Sequence, residues 1–114
     1  MMNDKEMLEL AAKAAGIDGK PVAHFGQLIG IVKGKMMSHE GDEFWNPLTD
    51  DGDALRLAIK LDLSIHTFYN DGVSSACSGV PYFVDEEVIH DGDPYAATRR
   101  AIVRAAAEIG KEKK

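Results

Sequence analysis

The sequence predicts an α+β fold in which three helices pack on a small, mainly antiparallel sheet, in the order α-β(β)-α-β-β-β-α. Three observations predict it. Apolar residues recur at helical spacing in three stretches, near 3–16, 49–61 and 93–110, and each stretch is opened by a capping residue. Between the second and third, LSIHTFY alternates in the manner of a strand and runs into Asn70, Asp71 and Gly72, a hairpin signal. Finally, 45 % hydrophobic against 28 % charged residues over 114 positions is ordinary globular usage. A chain of that length buries one core without metal or disulfide support, so one domain spanning 1–114 is expected.

The first helix opens at Asn3, which with Glu6 fits a capping box, and Leu8, Ala11, Ala12 and Ala15 line its apolar face. Gly16 stops it. KPVAHFGQLIGIVKGKMM mixes Val22, Phe25, Leu28, Ile29, Ile31 and Val32 with glycines and predicts one or two short, bent strands. The polar SHEGDE at 38–43 reads as an exposed loop. The second helix should begin at Thr49 or Asp50 and reach about Leu61. Ala54, Leu57, Ala58 and Leu61 form its apolar row, Leu55 and Ile59 widen it, and Asp53, Arg56 and Lys60 leave only a narrow polar strip; burial of most of this helix is expected.

After LSIHTFY, the stretch VSSACS should pair back as a short strand. GVPYFVDEEVIH offers Tyr82, Val84 and Val88 with a break at Asp85, Glu86 and Glu87. A three-stranded antiparallel region follows. In the third helix Asp93 is the N-cap, Pro94 takes the first helical position, and Tyr95, Thr98, Ile102, Ala105, Ala106 and Ile109 recur at helical spacing before Gly110 closes it. Residues 111–114, KEKK, are expected to be a frayed charged tail.

Composition excludes several classes. Thirteen basic against nineteen acidic residues give a net charge of -6, which opposes the phosphate neutralisation that drives nucleic-acid binding, so no nucleic acid is expected as partner. The same charge is too small for a protein that imitates the anion density of a duplex. No apolar run approaches a membrane span, and the N-terminal stretch lacks the apolar core of a signal peptide, so no membrane is expected either. Cys77 stands alone and cannot form an internal disulfide. A cytoplasmic protein is the expectation.

WNPLTDDGDALRLAIKL, followed by YAATRRAIVRAAAEIG, resembles a family of small phage and prophage proteins related to the NinX-like group, which carry no assigned molecular function. The matching positions are Trp45, Pro47, Asp50, Asp53, Ala54, Leu55, Arg100, Ala101 and Ile102. The resemblance implies a cytoplasmic accessory protein in a bacterial host. It carries no catalytic residue with it.

Two acidic turns are the most conspicuous candidates for chemistry. Asp50 or Thr49 can cap the second helix while Asp51 and Asp53 favour its positive end, and helix initiation accounts for all three acids. An EF-hand reading fails because Lys60 and Leu61 stand where the bidentate Glu would fall. Asp91, Gly92 and Asp93 after His90 repeat the DGD pattern at the third helix, and together the two turns could ligate a metal only if the fold brought them side by side. His24, His39, His66 and His90 show no zinc spacing, and Cys77 lacks an evident His and acid partner for nucleophilic catalysis. Gly26, Gly30 and Gly34 recur without the Lys-Ser/Thr of a phosphate loop. No catalytic residue, metal ligand or cofactor is therefore expected.

The residues offered for binding are Trp45, Arg56, Arg100 and Arg104. Trp45 with Pro47 reads either as a plug over the second helix or, if exposed, as a contact platform. Arg99, Arg100 and Arg104 form a basic stripe that could pair with Asp85, Glu86 and Glu87 or, beside Trp45, hold an anion. The leading expectation is a non-enzymatic phage or prophage accessory protein that binds a host or phage protein. A binder of an anionic metabolite or nucleotide is the alternative, and a metal-dependent hydrolase using the DGD turns and His90 ranks last. Homodimerisation through a helix face or a free strand edge is compatible with each.

Overall fold

The computed structural model describes residues 2–24, 27–33, 44–79 and 83–113. The expectations placed on Phe25, Gly26, Gly34, the 38–43 loop with His39 and Asp42, and Tyr82 lie outside them. The helices are α1 (Asp4–Ala15), α2 (Asp51–Lys60) and α3 (Pro94–Glu112). The strands are β1 (Gly19–His24), β2 (Gln27–Lys33), β3 (Phe44–Trp45), β4 (Ser64–Phe68), β5 (Val73–Cys77) and β6 (Asp85–Ile89). This is the α+β class in the expected order. The strands divide between two antiparallel sheets, β1-β2-β3 and β4-β5-β6, rather than forming one.

Local chemistry sets the helix starts. Asn3 accepts from the Glu6 amide at 2.8 Å, Asp50 from the Asp53 amide at 2.8 Å, and Asp93 from the Tyr95 and Ala96 amides at 3.1 and 3.0 Å. Each satisfies donors that the helix itself leaves unpaired. Gly16, at φ 73°, ends α1 in the left-handed conformation that only glycine adopts freely. No helix among the described residues is long and apolar enough to cross a membrane.

α1 and α3 pack face to face through Leu8, Ala11, Ala12 and Ala15 on one side and Ala105, Ala106 and Ile109 on the other, all buried. Small side chains allow that approach. Gly110 carries it furthest: a Cβ there would overlap the Leu10 carbonyl. Gly110 therefore lies inside α3 rather than closing it. α3 continues to Glu112, Lys111 pairs with Glu108 at 3.1 Å, and Lys113 Nζ donates to the Ala14 carbonyl at 2.9 Å. Residues 111–113 are exposed, and Lys113 reaches back to the end of α1.

In the first sheet, β1 and β2 form a hairpin with an irregularity between Val22 and Ala23, which matches the short bent strands expected. Ile31 stands opposite Trp45, and a Cβ on Gly30 would come within 2.8 Å of the Trp45 carbonyl, so glycine is what lets β2 approach β3. In the second sheet β5 is central, with β4 and β6 as edges. The break expected at Asp85 to Glu87 is absent: these acids belong to β6, where Asp85 and Glu87 point away from the core and Glu86 reaches Arg104. α3 covers the inner face mainly over β5 and β6, burying Ser74 and Ala76.

The expectation that α2 is mostly buried needs correction. Ala54, Leu57 and Ala58 are buried, but Leu55 is 56 % and Ile59 71 % exposed. Apolar periodicity wider than the contact surface left two large side chains in solvent.

Candidate functional site

Asp50, Asp51, Asp53 and Asp93 are each engaged within the scaffold. Asp50 caps α2, Asp51 accepts from Arg99 at 2.6 Å, and Asp53 both accepts the Asn46 amide at 3.0 Å and pairs with Arg56 at 2.9 Å. Asn46 organises the segment before α2: its carbonyl accepts from the amides of Thr49 and Asp50, and its side-chain oxygen accepts from the Leu48 amide. The turns also differ in construction. The first DGD, Asp51 to Asp53, is already helical and is capped by the preceding Asp50. In the second, Asp91 (φ 50°) and Gly92 (φ 87°) form a left-handed turn closed by the Asp93 amide on the His90 carbonyl, and its last residue is the cap. Among the described residues no three His, Cys, Asp or Glu side chains group around a possible cation position.

His90 and Ser74 are a pair that sequence reading did not join. Ser74 Oγ lies 2.8 Å from His90 Nε2 and 2.7 Å from Thr98 Oγ1, while Thr98 Oγ1 donates to the Pro94 carbonyl at 2.7 Å. Thr98 has one hydroxyl hydrogen, so Ser74 must donate to Thr98 and accept from a protonated Nε2. A general base would have to accept from Ser74. Ser74 is moreover 0 % exposed. The arrangement is a closed structural chain tying β5 and the β6–α3 turn to the first turns of α3, and it does not activate a nucleophile.

The residues expected to bind fall into two separate places. Trp45 is only 3 % exposed and plugs the core beside Ile31 and Leu57, so its role as an exposed contact is withdrawn. With Arg56, Leu57, Lys60, Ala15 and Ile17 it lines a shallow depression of about 180 Å³. Arg100 and Arg104 line another, of about 700 Å³, with Met2, Glu6, Glu86 and Glu108. There Arg100 pairs with Asp4 at 2.9 Å and Arg104 with Glu86 at 3.0 Å. The pairing of the stripe with the β6 acids is therefore realised at Arg104. Convergence of Arg100 and Arg104 beside Trp45, which an anion site required, is not found.

A third cavity, of about 390 Å³, is mainly apolar and lies between α2, β4 and the start of α3. Ala54 and Leu55 of α2 form one wall, Ile65 and Thr67 of β4 another, and Pro94, Tyr95, Thr98 and Ile102 of α3 the third. Arg99 also lines it, held by Asp51 and by the Leu48 carbonyl at 2.8 Å. Its rim carries Leu55 at 56 %, Tyr69 at 74 % and Tyr95 at 72 % exposure. Sequence reasoning missed this cleft because it assigned Leu55 and Tyr95 to buried rows. The opposite face of the same sheet has its own apolar row, Phe68, Val73 and Ile89 in register across the three strands, with Phe68 49 % and Ile89 74 % exposed.

Comparison with known proteins gives no match: no family model matches the chain, and neither a curated protein nor a solved structure does.

Proposed function

We propose that this chain is a non-enzymatic protein-binding module whose contact site is the cleft between α2, β4 and the start of α3. The observation that carries the proposal is the exposed apolar rim, Leu55, Tyr69 and Tyr95, around a concave apolar cavity. Large aromatic and aliphatic side chains left in water cost solvation free energy that a partner recovers, and interface centres are enriched in such residues and poor in free charge. The charges nearest this cleft, Asp51 and Arg99, already neutralise one another. Arg100 and Arg104, each engaged with a carboxylate, favour a structural role over anion capture. The setting we propose, a phage or prophage accessory protein acting on a host or phage protein in the bacterial cytoplasm, rests on the two sequence motifs alone.

Affinity capture from bacterial lysate tests the reading. The wild-type chain should retain a protein that Leu55→Asp and Tyr95→Ala lose, while Arg104→Ala keeps it. Capture indifferent to both cleft substitutions, or abolished by Arg104→Ala alone, contradicts the proposal.

A further inference from the structure

The cleft adjoins a strand edge that has no partner among the described residues. β4 is an outer strand of its sheet, pairing among those residues with β5 alone, and Ser64, His66, Thr67 and Phe68 are exposed. The two edges of this sheet are treated differently. β6 carries Asp85, Glu86 and Glu87 and is further engaged by Arg104, which bonds the Glu86 carboxylate and the Glu87 carbonyl. β4 has no Lys, Pro, Asp or Glu along its length, so its edge lacks the residues that usually protect one.

Alternation along β4 joins that edge to both apolar surfaces. Ile65 and Thr67 face the cleft, while His66 and Phe68 face the other side, where their rings stack at 5.7 Å. A strand laid beside β4 would alternate in the same way. Its inward side chains would enter the cavity between α2 and α3, and its outward ones would cover His66 and Phe68. One extended segment therefore accounts for the open edge, the cleft and the exposed Phe68 together.

Charge selects the kind of segment. Asp62 and Asp71 stand just beyond the two ends of β4 and Asp93 stands beside the cleft wall; Asp51 and Arg99 neutralise one another, which leaves Lys60 as the nearby cation among the described residues. We infer that β4 is a docking edge for an extended segment of another protein, with apolar side chains at alternate positions and lysine or arginine flanking them. The inference rests on the cleft being the partner site. A second copy of this chain fits less well, because antiparallel pairing of two β4 strands about His66 sets the Asp62 end of each copy against the Asn70 and Asp71 end of the other, and each copy has net charge -6.

The probe is the synthetic peptide Lys-Lys-Thr-Val-Thr-Leu-Thr-Val-Lys-Lys, blocked at both ends, titrated into the intact chain while backbone amide exchange is followed. Two further peptides carry N-methyl groups, one on the valine and leucine amides and the other on the threonine amides, and a fourth replaces the lysines by glutamates. The expected result is binding below about 1 mM with slowed exchange at 64–68, weakened about tenfold in one N-methyl peptide but not in the other, and weakened in the glutamate peptide. That alternation is the signature of strand addition, since only every second amide of an added strand faces its neighbour.

Equal binding by both N-methyl peptides means docking by side chains alone and overturns the inference. Loss in both, protection elsewhere, or no binding of the lysine peptide by about 1 mM also overturns it. Concentration-dependent dimerisation with protection of 64–68 in the absence of peptide assigns the edge to a second copy instead. A captured protein that depends on Leu55 but gives no protection at 64–68 removes strand addition and leaves the cleft reading standing. Loss of both dependences removes both.

Discussion

Replacing Gly110 by alanine sets two effects of opposite sign against each other. Gly110 is buried in the interior of α3, where helix propensity alone favours alanine by about 1 kcal/mol. Against this, the new Cβ would overlap backbone of α1, the Leu10 carbonyl, and neither helix can relieve the overlap by turning a side chain. Overpacking a well-filled interior costs about 1–3 kcal/mol, and a collision with backbone belongs at the upper end. The net expectation is a loss of about 2 kcal/mol, which for a chain of this length lowers Tm by about 8 °C. Gly52→Ala supplies the control: its Cβ would meet the Arg56 guanidinium at 3.1 Å and the Asp50 Oδ2 at 3.2 Å, both far ends of side chains that are 71 % and 59 % exposed and able to give by a few tenths of an ångström. Gly52→Ala should hold or raise Tm. Differential scanning calorimetry on both variants decides the matter, and a Tm for Gly110→Ala at or above wild type would refute the close α1–α3 contact.

Other substitutions probe the acids and the buried polar chain. Asp53→Ala should cost about 2 kcal/mol in urea unfolding because it strands the buried Asn46 amide, whereas Arg56→Ala, which removes only a mostly exposed partner, should cost at most about 0.5 kcal/mol. Similar values for the two would mean the ion pair, and not the amide contact, fixes Asp53. Ser74→Ala should lose about 2 kcal/mol by leaving His90 Nε2 without its acceptor, yet leave partner capture at the α2–β4–α3 cleft unchanged at low temperature. Loss of capture in a folded Ser74→Ala protein would give Ser74 a functional role that the hydrogen-bond chain denies it. Millimolar magnesium, calcium or zinc should leave Tm unmoved, and saturable stabilisation by any of them would contradict the assignment of Asp50, Asp53 and Asp93 to helix starts.

What the sequence made legible was local. Asn3, Asp50 and Asp93 satisfy amides two or three residues ahead of themselves, so a short window contains both partners of each bond. The β4–β5 hairpin is equally local: its turn residues Asn70 to Gly72 lie between the paired strands. Misreadings arose where the deciding partner was distant. Gly110 resembles a helix stop until Leu10 is known to lie against it. Leu55, Ile59 and Tyr95 fit an apolar periodicity, but periodicity does not reveal whether another element covers the row, and these three are exposed.

The same distinction governs the site. Arg99, Arg100 and Arg104 form a stripe in sequence, yet each is paired with a carboxylate from a different element, Asp51 of α2, Asp4 of α1 and Glu86 of β6. The cleft is assembled from three elements and has no contiguous signature at all. Trp45 drew attention as an aromatic beside acids, but its indole is spent on the core. Asp51 and Asp53 read from the sequence as helix-start acids, but their partners, Arg99, Arg56 and the Asn46 amide, lie outside that local reading.

Site-specific photo-crosslinking tests the central claim most directly. A benzophenone side chain at position 95, on the rim of the cleft, should join the chain to the same protein that affinity capture retains, and one at Glu9, exposed on α1 away from the cleft lining, should not. Crosslinks from position 9 with none from position 95 would move the binding surface elsewhere and contradict the account.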